Sequence, residues 1–156
     1  MHPLGEEVTF EHAQVDGNAY TAPTTIGATV TSVRQGTIEE LEAGGFEVDD
    51  DQRSLTPWYV DQRYRNAGQE SLDRSLRVSL EDEQGDLITA VTIFNYAGTE
   101  FALCPDRSDP DAAFAPGDSF ETCTLFFAEP AETPTRVSFL PTRPGTETDW
   151  VYWAVK

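Results

Sequence analysis

Short runs in which apolar and polar residues alternate recur along the chain, and a period of two is what a strand with one buried face requires. Val8 and Phe10 open the pattern, and a polar stretch from Glu11 to Thr25 follows. Ile26, Ala28 and Val30 then alternate with Gly27, Thr29 and Thr31 in a β-branched run that reaches Val33. Further on, Trp58, Val60, Gln62 and Tyr64 share one face of a strand, and Tyr59, Asp61, Arg63 and Arg65 share the other. That strand stops at the turn signal Asn66-Ala67-Gly68. Leu76, Val78 and Leu80 form another apolar face, and Glu83-Gln84-Gly85-Asp86 reads as a hairpin connection to Leu87, Thr89, Val91 and Ile93. Alternation is strongest over Ser119 to Phe127, and returns at Val137 to Leu140 and at Trp150 to Val155. About seven or eight short strands separated by Gly, Pro, Asn and Asp turns predict an all-β antiparallel sandwich.

One segment departs from this period. Thr37-Ile38-Glu39-Glu40 has the form of a capping box, Leu41 follows Ile38 at helical spacing, and Gly44-Gly45 ends the run, so one short helical turn is expected. Within residues 39–51 seven positions are acidic and none is basic, which reads as a solvated loop between two strands, crossing from one sheet to the other.

The 156 residues suffice for one domain with a real core, with residues 1–23 as an N-terminal segment carrying the first strand and 24–156 as the sandwich. The 28 acidic residues stand against nine Arg and one Lys, for a formal charge of −18. Such a surface repels a nucleic-acid backbone or an anionic bilayer, so nucleic acid is excluded as a partner. No stretch approaches the ~18 consecutive apolar residues of a membrane span, so direct insertion is excluded too. The 17 aromatic residues supply ample core material, and the chain is not a disordered acidic tail.

Cys104 and Cys123 are the only cysteines, and no histidine cluster stands beside them. A disulfide is the leading reading, with two separate buried thiols as the alternative; a bridge places the protein outside the cytoplasm. The first seven residues, Met1 to Glu7, have neither a basic region nor an apolar one, so export implies a leader upstream that is removed.

The order Thr29-Val30-Thr31-Ser32-Val33-Arg34, Pro57-Trp58-Tyr59-Val60, Arg65-Asn66-Ala67-Gly68, Asp82 to Asp86, and Ala115-Pro116-Gly117-Asp118 before Cys123 resembles the immunoglobulin-like domains of secreted actinobacterial lipoproteins, related to the immunoprotective extracellular antigen family. The resemblance spans roughly Thr24 to Val155. It implies an immunoglobulin-like β-sandwich, export, and in many members a lipid anchor on a cysteine of the precursor that this sequence lacks. The acidic run from Glu39 to Asp51 lies outside the shared pattern, and the resemblance implies no catalytic residues.

Candidate sites are few. His2 and His12 are the only histidines, both near the N-terminus, and no G-x-S-x-G elbow or glycine-rich phosphate loop occurs, so the chain reads as non-enzymatic and without a cofactor. Calcium is the metal hypothesis of best chemistry, through Asp49, Asp50 and Asp51 or through Asp106, Asp109 and Asp111; Arg107 and the lack of a glycine-assisted turn weigh against the second group. Zinc is disfavoured because Cys104 and Cys123 have no histidine partners. Five of the nine arginines fall between Arg53 and Arg77. Tyr59, Arg63 and Arg65, with Arg77 on a neighbouring strand, are the candidate binding stripe for an anionic ligand or an acidic protein; the leading reading of these arginines is nonetheless cross-strand pairing with the chain's own carboxylates, such as Asp61 or Glu81. Trp58, Trp150 and Trp153 either line a saccharide or peptide groove or belong to the core. The reading is an exported module at the cell envelope that contacts an unknown protein or small ligand, with a calcium- or cell-wall-saccharide-binding adhesin or sensor as the alternative.

Overall fold

The computed structural model describes residues 1–91 and 100–155. Twelve strands lie among them. Eight, all antiparallel, form one sheet in the order β1 (Glu7–His12), β4 (Thr24–Gln35), β5 (Thr56–Asn66), β10 (Ser119–Ala128), β8 (Leu87–Val91), β7 (Ser79–Glu81), β11 (Arg136–Phe139) and β12 (Val151–Ala154). Two small ladders lie beside it: β2 (Val15–Asp16) with β3 (Ala19–Tyr20), turned at Gly17 with φ 65°, and β6 (Leu72–Asp73) with β9 (Ala113–Phe114). The all-β sandwich expected from the alternation is present, and its two layers are halves of a single sheet. β8 makes the fold-over: Thr89 to Val91 pair with β10, whereas Leu87 and Ile88 pair with β7. Ile93, expected in this strand, lies outside the described residues.

The sheet is nearly closed. The backbone of His2 runs beside β12, donating to the Tyr152 carbonyl at 2.9 Å and accepting from the Ala154 N–H at 2.8 Å. The Trp153 indole N–H donates to the Glu6 carbonyl at 3.0 Å. Farther along, Phe10 stacks on Phe139 at 4.9 Å, and the Thr142 N–H donates to His12 Nδ1 at 3.0 Å.

The main core fills the space between the layers. Ile26, Ala28, Val30, Val60, Tyr64 and Phe126 come from one side, and Leu80, Ile88, Val137, Phe139 and Trp153 from the other. A register shift between Val30 and Ser32 inserts Thr31 as an extra residue, so Val33, three positions after Val30, still pairs with Val60 and packs on the core. Gln62 is buried here without penalty: its amide donates to Thr124 Oγ1 and the Val60 carbonyl, and its oxygen accepts from the Tyr64 hydroxyl. Leu76 and Val78 are buried as their spacing predicts, although the strand begins only at Ser79.

The acidic segment corrects the loop expectation. It joins β4 to its sheet neighbour β5, so no crossing occurs. Its short helix α1 (Ile38–Ala43) starts at a capping box in which Thr37 Oγ1 accepts from Glu40 N and Glu40 Oε2 accepts from Thr37 N. Leu41 is fully buried and Ile38, Phe46 and Val48 pack beside it, so the carboxylates decorate the outside of a cover. That cover lies on the outward face of β5 and β10, over Tyr59, Leu125 and Phe127. Gly44 permits the contact, because a Cβ there would come within 2.5 Å of the Phe101 ring.

Candidate functional site

Alternation along β4, β5 and β10 gives their sheet an outward face with two unlike halves. One half, carrying Tyr59, Leu125 and Phe127, lies beneath α1 and the chain around Phe101 and Cys104. Cys104 is bonded to Cys123 of β10 across 19 residues, which fastens this cover to the strand and answers the cysteine question in favour of a bridge. The other half, built on Thr29, Arg63, Arg65, Ser119 and Glu121, has no such layer of packed apolar side chains over it among the described residues.

The four members of the expected binding stripe are distributed between these settings. Tyr59 is only 2% exposed and belongs to the packed layer; its hydroxyl donates to Glu40 Oε2 at 3.0 Å, Arg34 stands over its ring at 5.1 Å, and burial raises its pKa. Period-two alternation placed it correctly with Arg63 and Arg65 but carried no information about α1 settling on top. Arg77 is not on a strand beside β5: it precedes β7, which β10 and β8 separate from β5, and it pairs with Asp106 at 3.4 Å. Arg65 forms a two-pronged pair with Glu7, Nη2 to Oε1 at 2.7 Å and Nε to Oε2 at 3.1 Å. Arg63 is exposed.

Seven of the nine arginines make ion pairs with the chain's own carboxylates; Arg63 and Arg143 are the two that do not among the described residues. Asp61 is held by Arg34 and Ser32, and Glu81 by Arg136 at 2.8 Å. Internal pairing thus accounts for most of the positive charge. The hydrogen bond from Arg65 holds the carboxyl of Glu7 below the usual range; burial opposes it, and the charges of Arg65 and Arg63 add smaller lowering effects. No sequence pattern marks Glu7, since its partnership depends on the register of β1 on β4.

The aspartates of the cysteine loop make turn hydrogen bonds. Asp106 Oδ1 accepts from the Ser108 N–H and hydroxyl, and Asp109 Oδ1 accepts from the Asp111 N–H at 2.8 Å. Among the described residues no group of three or more His, Cys, Asp or Glu is arranged to hold a metal ion. A shallow cleft of about 270 Å³ lies next to the disulfide, lined in part by Thr31, Asp61, Arg107 and Glu121. Of the tryptophans, Trp153 is core, Trp58 is half-buried and Trp150 is exposed. Trp150 stacks with Tyr152 at 6.4 Å, and Arg136 stands over the Tyr152 ring at 4.5 Å.

His12 is a further group the sequence did not single out. It is 7% exposed, it packs edge-on against Phe139, and burial lowers its pKa to about 4. Because Nδ1 accepts from Thr142, the neutral ring carries its proton on Nε2.

The architecture defines a class: a nearly closed antiparallel β-sandwich with a disulfide-fastened cover on one outer face. Within that class the fold is like that of MPT63, a secreted protein from Mycobacterium tuberculosis, with a TM-score of 0.55 and 14% identity over 97% of this chain and 94% of that one. It is also similar to the yjhA protein from Bacillus subtilis, with a TM-score of 0.57 and 12% identity over 100% of both chains. No protein-family model matches the sequence, and no curated protein does. At these identities the likeness is one of fold.

Proposed function

We propose that the protein is an exported, non-enzymatic β-sandwich module that works by surface contact at the cell envelope, and that the uncovered outward face around Arg63 and Arg65 makes the contact. The observation that carries this reading is the Cys104–Cys123 bridge, a structural disulfide that fixes a cover over half of that face and belongs to an oxidising compartment. The fold it shares with a secreted protein supports export. The resemblance of the sequence to lipoprotein domains makes a lipid anchor on the precursor the natural route of attachment. Contact is favoured over catalysis because His12 is committed to Thr142 and the core, and His2 sits with Glu6 at the surface. On a chain of net charge −18, Arg63 is where an acidic partner meets a cation with no carboxylate already on it among the described residues.

The test is retention of purified protein on isolated envelopes of the producing cell. Retention should fall with added salt and fall again in Arg63→Ala, with the melting temperature unchanged; salt-independent retention equal in both proteins would defeat the reading. A saccharide-binding reading has one observation behind it, the exposed Trp150 stacked with Tyr152. Quenching of Trp150 fluorescence by soluble cell-wall fragments, absent in Trp150→Ala, would promote it.

A further inference from the structure

An open cleft of about 330 Å³ lies where the end of β1 meets the β2–β3 hairpin and β6, and His12, Asp73 and Tyr20 are among the residues that line it. Sites for small ligands begin at roughly 300 Å³, so the cleft is of a size to take one side chain. His12 is fixed from within: Nδ1 accepts from the Thr142 N–H, and Phe10 and Phe139 flank the ring. The proton of the neutral ring is therefore on Nε2. Nε2 makes no hydrogen bond among the described residues, yet the enclosed polar atoms without a partner there are only the hydroxyls of Thr29 and Ser138. Nε2 is thus reached by solvent although the residue is only 7% exposed, and the cleft is the opening that His12 lines. A pre-oriented donor faces that opening.

The neighbouring groups are set just as firmly. Gln14 grips the backbone of Asp73, its Nε2 donating to Asp73 O at 3.2 Å and its Oε1 accepting from Asp73 N at 2.8 Å. Asp73 Oδ1 accepts from the Ser75 N–H and hydroxyl. Oδ2 has no hydrogen-bond partner, and Asp73 no ion pair, among the described residues. The hairpin supplies apolar surface through Val15 and Tyr20, cross-strand partners that are 67% and 53% exposed. Its base is closed by the Gln14 N–H on Thr21 Oγ1 and the Thr21 N–H on the Gln14 carbonyl.

These groups choose a ligand by charge and by polarity. Burial holds His12 neutral, so Asp73 is the one ionised residue lining the cleft. An unpaired carboxylate on a chain of net charge −18 calls for a cation. A cationic group alone has no lone pair to accept the His12 Nε2–H, so the ligand must bring a neutral oxygen beside its charge. Arginine in a peptide has both, and a planar guanidinium lies on an aromatic ring while it bonds a carboxylate. We propose that the cleft receives an arginine from a basic segment of a partner protein, its guanidinium on Asp73 and Tyr20 and a backbone carbonyl of the segment on His12. A segment is favoured over a free cationic metabolite because it carries that carbonyl and because its flanking residues meet the acidic surface beyond the cleft, beginning with Asp16 on the hairpin. None of the lining residues belongs to the face around Arg63 and Arg65, so this site is independent of that contact.

The experiment follows the ring C–H signals of His12 and Tyr20 by NMR in the full chain, at fixed ionic strength. The titrant is a pentapeptide capped at both ends, with one arginine between pairs of glycines, and both rings should shift saturably. Asp73→Asn, which keeps an acceptor for Ser75, should weaken binding about tenfold, as expected for one charge-assisted hydrogen bond. Tyr20→Ala should weaken it about threefold. Citrulline in place of the arginine keeps the shape without the charge and should lose about tenfold. Glu39→Gln, an equal charge change on α1 outside the cleft, should alter binding less than about twofold. No saturable shift below about 10 mM peptide, citrulline equal to arginine, or a loss in Glu39→Gln that matches Asp73→Asn overturns the proposal. Agmatine, a guanidinium without a peptide carbonyl, overturns the assignment to a protein segment if it binds as tightly as the peptide. Tetra-N-acetylglucosamine that shifts the same rings at lower concentration makes the occupant a neutral saccharide and overturns the cation.

Discussion

Acidification should expose the cost of the buried ring at the sheet's closing seam. His12, the last residue of β1, faces the chain after β11, with Nδ1 accepting the Thr142 N–H and with Phe10 and Phe139 at its sides. Protonation would set a second N–H against Thr142 and place a charge among apolar rings. Its folded pKa is lowered to about 4, against about 6.5 in an unfolded chain. Between those values the unfolded state binds a proton that the native state refuses, so the stability contributed by the neutral ring is complete above pH ~6.5 and is lost as the pH falls toward ~4. Taken from pH 7.5 to 5.0, the loss is about 2 kcal/mol by linkage. The 28 acidic residues contribute a pH dependence of their own, as relief of repulsion, so the measurement must be differential. Urea unfolding of the parent and of His12→Asn, whose amide oxygen can accept from Thr142 but does not titrate, isolates the ring. The stability difference, parent minus variant, should shrink by about 2 kcal/mol between pH 7.5 and 5.0. A difference that stays constant within ~0.5 kcal/mol would mean that the folded ring titrates like a free imidazole, and the account of the seam would be refuted.

Three further outcomes follow from the packing. Replacing Cys104 and Cys123 by alanine should cost about 3 kcal/mol in urea unfolding, from loop closure over some 20 residues, and unreduced denatured parent should show no free thiol on counting. Leu41→Ala, which empties a fully buried position beneath the acidic cover, should cost about 3 kcal/mol and increase binding of an apolar dye as Tyr59 and Phe127 become accessible; a loss under ~1 kcal/mol would mean the cover packs only loosely. Arg65→Ala should cost no more than about 1 kcal/mol, since both partners of the pair are partly in solvent, and the midpoint of Glu7 by NMR titration should rise toward the usual carboxylate value; an unmoved midpoint would discount Arg65 as its principal partner.

Strand identity was legible in the sequence because a half-buried strand writes its environment into every second residue. The inward sets on β4, β5 and β10 were readable in this way, down to the turn at Gly85 and the capping box at Thr37. An even cysteine count with no histidine cluster beside it pointed to the bridge. What alternation cannot carry is the identity of whatever lies on the other side of a face. Tyr59 and Arg63 sit on the same outward side of β5, and only the tertiary structure decided that α1 buries the first and leaves the second exposed. The acidic run looked solvated because its charges outnumber its apolar residues, yet Leu41, Phe46 and Val48 suffice to fasten it to the sheet. Ion-pair partners were equally hidden. Glu7 and Arg65 are 58 residues apart, and they meet through the register of three strands, because a through-space contact of that kind leaves no periodicity in the chain.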